Sequence, residues 1–296
     1  MAGPTIPTRV MVVSNTHEHS LDGTTMPQVD VLLHTGDLTN FGELDALRDS
    51  VKMIGSIDAE LKLVIAGNHD MTLDKVRRVE NLSDEEYKKY HEQAMEIMTG
   101  SLAKEAGVTY FEEGTHSLTL KNGAKFSVYA SPYTPGSGGW GFQYQNHEDR
   151  FNTQNQTSPG MTSIGGHTIP SGIDIIMTHG PPRSILDQVD SQSLGCPNLL
   201  RAVGRVRPLL HCFGHIHEGH GANIVTWKED GSVKDPEPAT PLETEQVNEY
   251  PYANEWLVKV GKQTLMVNAS IMMNTAKGMR PNCKPFVVVV DLPKME

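Results

Sequence analysis

The chain has 296 residues, 38% of them hydrophobic and 21% charged, enough to bury a sizeable core in one large or two small domains. Its formal net charge of −11 argues against broad nucleic-acid binding, which needs a basic surface to neutralise phosphates, but leaves room for a small phosphorylated substrate. Three scattered cysteines (Cys196, Cys212 and Cys283) make no disulfide framework, and no apolar run approaches the roughly 18 residues of a membrane span. The opening MAGPTIPTRVMVVSN lacks a basic stretch followed by a long apolar one, so the reading is cytoplasmic, with no membrane partner.

The first half alternates. Arg9–Ser14 and Val31–His34 read as strands, Glu43–Ser56 as a helix and Leu61–Ala66 as a third strand, a spacing that implies βαβ units. Ser83-Asp84-Glu85-Glu86 is a capping-box pattern that opens a helix with Tyr87, Tyr90, Ala94 and Met98 as its core stripe. Lys121-Asn122-Gly123 is a hairpin turn between SLTL and KFSVYA. Residues 131–172 then carry many Gly, Pro, Asn and Gln with little periodicity, a length of loop that is usually functional or mobile. Ile173–Thr178 and Leu209–Phe213 read as strands with a helix at Asn198–Val206 between them. Residues 228–254, rich in Pro, Glu and Thr, read as a surface insertion. Strands at Glu255–Val260, Thr264–Val267 and Phe286–Asp291 close a single domain over 1–296, with loop-rich insertions near 131–172 and 228–254.

Polar clusters follow the apolar runs in a fixed order. They are SNTH with Asn15 and His17, TGD with Asp37, GNHD with Asn68, His69 and Asp70, THG with His179, and GHIH with His215 and His217. A sheet that delivers carboxylate, amide and imidazole groups at its strand ends gathers them along one edge, where open α/β sheets bind ligands. That mixture of oxygen and nitrogen donors suits divalent metals.

Taken together, these motifs resemble the calcineurin-like metallophosphoesterases, whose pattern runs DxH, GD, GNH(D/E), H and GHxH. The likeness covers about Val10 to His217, with a further match at Asn268 to Ser270. HTGDLTNFGE, LVIAGNHDMTLDK, SPYTPGSGGWGF and RVRPLLHCFGHIHEGHG give it the flavour of the small metallophosphoesterase-domain proteins related to brain phosphodiesterases. The resemblance implies an α/β fold, a four-layer αββα sandwich of two mixed sheets flanked by helices. It implies two divalent ions, manganese first, with iron, zinc or magnesium as alternatives. Asp37 would bridge them, Asn68, His179 and His215 would hold the second, and Asn15, His17 and His217 would hold the first. His69 would act as general acid or orient the phosphate, with Asp70 fixing its tautomer or capping a helix. The implied reaction is hydrolysis of a small phosphomonoester or phosphodiester by a metal-bridging hydroxide.

Four further residues are candidates for substrate contact. Trp140 and Phe142 could form an aromatic wall or pin their loop; Arg183 could meet an anionic group or lie exposed; His220 could sit on the rim. His34 and His211, inside apolar strands, read as core or supporting histidines.

Asn15 departs from the family pattern, which has Asp there. The amide keeps an oxygen donor but removes a full charge, and unit charges about 4 Å apart interact by roughly 4 kcal/mol at an effective dielectric of 20. Three outcomes stay open: weakened phosphoester hydrolysis, a non-phosphate hydrolytic or lyase-type reaction in a biosynthetic pathway, or nucleotide binding without turnover.

Overall fold

The architecture is that of a computed structural model, which describes residues 3–294 apart from 22–25, 77–81, 137, 167, 233–247 and 276–277. Most of the 228–254 insertion therefore lies outside the described residues. In chain order the main elements are β1 (Thr5–Val13), β2 (Val29–Thr35), α1 (Leu44–Gly55), β3 (Ala59–Ile65), α2 (Asp84–Thr99), α3 (Ser101–Ala106) and β4 (Val108–Tyr110). Then come β5 (Gly114–Thr119), β6 (Lys125–Ser131), β7 (Ile175–Thr178), α4 (Pro197–Val206), β8 (Leu210–Phe213), β9 (Gly221–Thr226), β10 (Asn254–Glu255), β11 (Gln263–Asn268) and β12 (Phe286–Pro293).

They form two six-stranded mixed sheets, ordered β10-β12-β1-β2-β3-β4 and β9-β11-β8-β7-β6-β5. Strands β1, β2, β3 and β4 run parallel to one another, as do β6, β7, β8 and β11 in the second sheet. Antiparallel β12 joins β1, and antiparallel β9 and β5 edge the second sheet.

The strands are apolar nearly throughout because both faces of each sheet are covered. Val10, Val12, Val31, Leu33, Leu63 and Ile65 of the first sheet meet Val128, Ile175, Met177, Leu210, Leu265 and Val267 of the second in a central core. Alternate residues point the other way. Met11, Val13, Leu32 and Val64 pack under α1, α2 and α3 through Leu47, Val51, Ile54, Ala94, Met98 and Ala103. Tyr129, Ile176, Phe213 and Met266 pack under α4 through Leu199, Ala202 and Val203. The result is the four-layer helix–sheet–sheet–helix sandwich.

The capping box at Ser83 forms: Glu86 N–H donates to Ser83 Oγ, and Ser83 N–H donates to Glu86 Oε2 at 2.9 Å. One residue of the expected α2 stripe differs. Tyr90 is 47% exposed, and His91 takes that turn instead, its Nδ1 3.0 Å from the Thr72 carbonyl. The expected strand at Glu255–Val260 also shortens. Only Asn254 and Glu255 pair with β12; Trp256 and Val258 keep the inward alternation but find no ladder partner.

The 131–172 segment is more built than its composition suggests. Thr134–Pro135 pairs with Gln143–Tyr144, and Glu148–Asp149 with Thr162–Ser163. Buried Asp149 accepts from the N–H groups of Phe151 and Asn152, the Asn152 amide and the Thr157 hydroxyl. Arg150 makes a two-pronged bond to Glu113 at 2.8 Å and lies 3.3 Å over the Tyr133 ring, tying the segment to the sandwich.

Candidate metal centre

Parallel strands end together, so the turns after β1, β2, β3, β7 and β8 converge on one cleft. The turns are sharp. Asn15, His17, Asp37 and His215 adopt left-handed backbone with φ of 53°, 43°, 56° and 66°, a conformation costly for side-chain-bearing residues and common at functional sites. Gly36 makes one turn possible: its φ is +99°, and a Cβ there would come within 2.6 Å of both the Ala66 carbonyl and His179 Nδ1.

On one side of the cleft, oxygen atoms and imidazole nitrogens face one another. His179 Nδ1 lies 2.8 Å from the Thr35 carbonyl, so that nitrogen carries the proton and Nε2 turns inward. Inward Nε2 lies 3.0 Å from Asn68 Oδ1 and 3.3 Å from Asp37 Oδ2, while His215 Nδ1 lies 2.8 Å from the same Asn68 oxygen. The contacts between this carboxylate, the amide oxygen and the two imidazoles can be made by ring N–H groups or, with those protons released, by a metal ion, and the mixed oxygen and nitrogen donor set fits a divalent ion. Burial pushes the His215 pKa down to about 3, which keeps that ring neutral, whereas at His179 burial is outweighed by the Asp37 charge and hydrogen bond and the pKa is raised. Burial alone would raise the Asp37 pKa, but the charge and hydrogen bond of His179, with His17 and His69, hold it well below the usual carboxylate range.

The other side is different. His17 Nε2 stands 3.6 Å from Asp37 Oδ2, and burial lowers its pKa to about 4. Asn15 is buried between these groups, its Nδ2 2.7 Å from Asp37 Oδ2, 3.0 Å from His217 Nε2 and 3.5 Å from His17 Nε2. Its oxygen points away, accepting from the His215 backbone N–H and the Ser14 hydroxyl, both at 2.9 Å. Thus Asn15, His17, Asp37, Asn68, His179, His215 and His217 all come together, with Asp37 in the middle. Ligand atoms of His17, Asp37 and His69 also lie within 4.8 Å of one another, as do those of Asp37, His179 and His215.

His69 lies at the cleft with its ring centroid 4.7 Å from that of His17. Its Nδ1 lies 2.7 Å from the Asn40 carbonyl, so Asn40 rather than Asp70 orients the ring. Asp70 does something else. Its carboxylate accepts from the backbone N–H groups of Leu38, Thr39 and Gly67 and from the Thr39 hydroxyl, clamping the turn that carries Asp37 to the turn that carries Asn68. It caps the short helical turn at Met71–Leu73 through no side-chain bond either. Burial and the Asp37 charge raise its pKa to about 6 against the pull of those N–H groups.

Of the four substrate candidates, Trp140 reaches the cleft, its ring centroid 4.1 Å from that of His69. Phe142 does not: it is buried edge-on against Tyr133, and its N–H donates to Asp74. Arg183 is exposed on the loop after His179. His220 bonds the Ser270 carbonyl at 2.7 Å and stacks on Phe286. His34 and His211 are buried beside Thr16 and Thr178, as supporting histidines.

Several contributors carry little sequence signal. Phe41, 59% exposed, stacks on Trp140 at 6.0 Å, and only its place just past the TGD cluster hinted at the cleft. Glu18 accepts from the Asn40 N–H at 3.0 Å and so braces the carbonyl that holds His69. Asn268, by contrast, lies in the Asn268–Ser270 match, and it donates to the carbonyls of Leu186 and Ile216, fixing the loop between His215 and His217. A pocket lined by Tyr133, Pro135, Tyr144, Pro181 and Leu194 opens beside His215.

Two layered sheets with imidazoles, amides and a shared carboxylate at their common edge define a metallophosphoesterase-type centre. Residues 16–219 match the calcineurin-like phosphoesterase family, and the chain belongs to it. Among relatives, metallophosphoesterase domain-containing protein 1 of Homo sapiens is 34% identical over 226 residues, 72% of this chain and 62% of that protein. The chain thus spans less than two thirds of that relative. A probable rhamnogalacturonate lyase C of Emericella nidulans is 34% identical over 221 residues, 74% of this chain but only 18% of its own length. Among solved structures, phosphopantetheinyl hydrolase of Mycobacterium tuberculosis superposes with a TM-score of 0.40 at 16% identity, covering 77% of this chain and 87% of that one. No helix among the described residues is long and apolar enough to cross a membrane.

Proposed function

We propose that the protein is a metal-dependent phosphoesterase-like hydrolase acting on a small phosphomonoester or phosphodiester, with manganese as its first-choice metal. The observation that carries this reading is the meeting of His179 Nε2, His215 Nδ1, Asn68 Oδ1 and Asp37 Oδ2 at hydrogen-bonding distance, a mixed nitrogen and oxygen donor set that suits a divalent ion. When bound, such an ion polarises a phosphoryl oxygen and makes water a stronger acid. The chain supplies the rest. Asp37 supplies charge at the centre of the cleft. His69, its Nδ1–H held by the Asn40 carbonyl, presents Nε2 to the substrate, and as the imidazolium it would give the Nε2 proton to a leaving oxygen or hold a phosphoryl oxygen with it. Phe41 and Trp140, stacked beside His69, offer a flat apolar surface for a ring on the leaving-group side.

Replacing His69 by Ala should leave metal content intact and lower turnover of a nitrophenyl diester by around 10²–10⁴. An unchanged rate in that variant would remove His69 from the mechanism. A second reading, non-phosphate hydrolysis or lyase-type chemistry, is favoured only by Asn15. The lyase relative adds little to it, because that likeness covers 18% of the relative's length. Metal-dependent release of nitrophenol from an acetate ester, with none from phosphoesters, would move the assignment there.

A further inference from the structure

We propose that Asn15 closes the first metal position with its own amide group. The protein then binds one divalent ion per chain, at Asp37, Asn68, His179 and His215, with His17 and His217 as hydrogen-bonding neighbours rather than ligands. The inference rests on the reading of the Asn68 side as a metal holder.

The two ends of a carboxylate are alike, and the two ends of an amide are not. Asn15 is fully buried, and the backbone N–H of His215 stands 2.9 Å from one end of its amide. A backbone N–H can only donate, so that end must be the oxygen; the Ser14 hydroxyl, which can donate or accept, bonds the same atom at 2.9 Å. The NH2 is therefore the end that faces the cleft. Its nitrogen lone pair is delocalised into the amide and has nothing to give a cation.

The NH2 hydrogens are matched by their surroundings. They have two acceptors at good distance, Asp37 Oδ2 at 2.7 Å and His217 Nε2 at 3.0 Å, with His17 Nε2 further off at 3.5 Å. These are the lone pairs that a first metal would need, and the amide already occupies the space among them. Turning the amide over would aim its oxygen inward, but it would press NH2 against the His215 N–H and leave two buried donors facing each other. Gly214 leaves little room for a larger adjustment, since a Cβ there would meet both Ser14 Oγ and Asn15 Oδ1.

Charge points the same way. Asp37 is the one carboxylate among the seven converging residues, and Asn15 and Asn68 are neutral amides. Asp70 is nearby, but its oxygens are taken up by three backbone N–H groups and Thr39. One carboxylate opposite one divalent ion is a tolerable balance in a buried cleft. Opposite two it leaves a large uncompensated positive charge.

The test is a count of ions. Metal-free native protein and Asn15→Asp are each loaded with excess manganese, freed of unbound metal by gel filtration, and analysed for manganese per chain. The Mn(II) electron paramagnetic resonance spectrum is recorded in parallel. Native protein should hold one ion with the spectrum of an isolated centre. Asn15→Asp should hold two, with the broadened spectrum of a coupled pair. His217→Ala in the native background should still hold one, because His217 is not a ligand, and this variant keeps the test alive if Asn15→Asp fails to fold. Two coupled ions in native protein, or loss of an ion in His217→Ala, would overturn the inference and leave metal-dependent hydrolysis standing. Asn15→Asp remaining at one ion would also overturn it. Native protein that binds no manganese would overturn the metal reading itself, and this inference with it.

Discussion

Asn15 and Asn68 are the same residue type in the same cleft, yet they turn opposite ends of the amide inward. Asn68 offers its oxygen to two imidazoles, at 3.0 and 2.8 Å, while Asn15 offers its NH2 to a carboxylate and an imidazole. The difference is set by what holds the outer end, and sequence alone does not show that. The motif spacing made every ligand-type residue of the cleft legible, because each follows an apolar strand. It misplaced Asp70, whose partners are backbone N–H groups of two other turns, and it placed Phe142 on a wall that Trp140 forms with Phe41 instead. Asp70→Ala should strip acceptors from three buried N–H groups. At about 1–3 kcal/mol for each buried donor left bare, the loss should be about 3 kcal/mol or more. Urea unfolding checks this as a lower midpoint with an unchanged slope; a shift below about 0.5 kcal/mol would show that water or a relaxed turn replaces the carboxylate.

Among the elements, strands were easy to read and connections were not. Continuous apolar runs such as Val10–Val13 and Ile175–Thr178 mark strands covered on both faces, and both form ladders. The alternation through Trp256 and Val258 was equally clear, but a strand also needs a neighbour to bond, and these residues lie past the last pair with β12. The 131–172 segment read as irregular because its order comes from buried side chains such as Asp149 and Arg150 rather than from periodicity. Replacing Arg150 by Met would leave Glu113, only 7% exposed, with hydroxyl donors from Ser131 and Tyr129 but no cation, at a cost of about 3 kcal/mol. Because the same segment carries Trp140, the variant should also weaken binding of ring-bearing substrates, seen as a higher KM; an unchanged KM would separate the segment from the cleft. Gly36→Ala is a sharper case. The left-handed φ and the contacts with Ala66 and His179 should together cost more than the 1–3 kcal/mol of backbone strain alone and displace His179. Its metal affinity should fall along with its melting temperature.

At the scale of the whole molecule, two sheets meet face to face so that their parallel strand ends share one edge, and function is concentrated there. The same burial makes folding sensitive to acid. His211 is fully buried, and burial lowers its pKa from 6.5 to about 3. Between those values the unfolded chain binds a proton that the folded chain refuses, so this group's contribution to stability falls as pH drops through 6.5. The slope is at most about 1.4 kcal/mol per pH unit. His211→Phe should flatten the acid limb of the stability profile; an identical limb would mean that His211 is protonated in the folded state. The central claim, that the cleft is a metal-dependent phosphoester-cleaving centre, is tested most directly by titrating manganese into metal-free protein and following hydrolysis of bis(p-nitrophenyl) phosphate. The rate should rise from baseline and saturate as the Asn68 side fills, and Asn68→Ala should need far more manganese to respond. Full hydrolysis without metal, or none at any manganese concentration, would contradict the account.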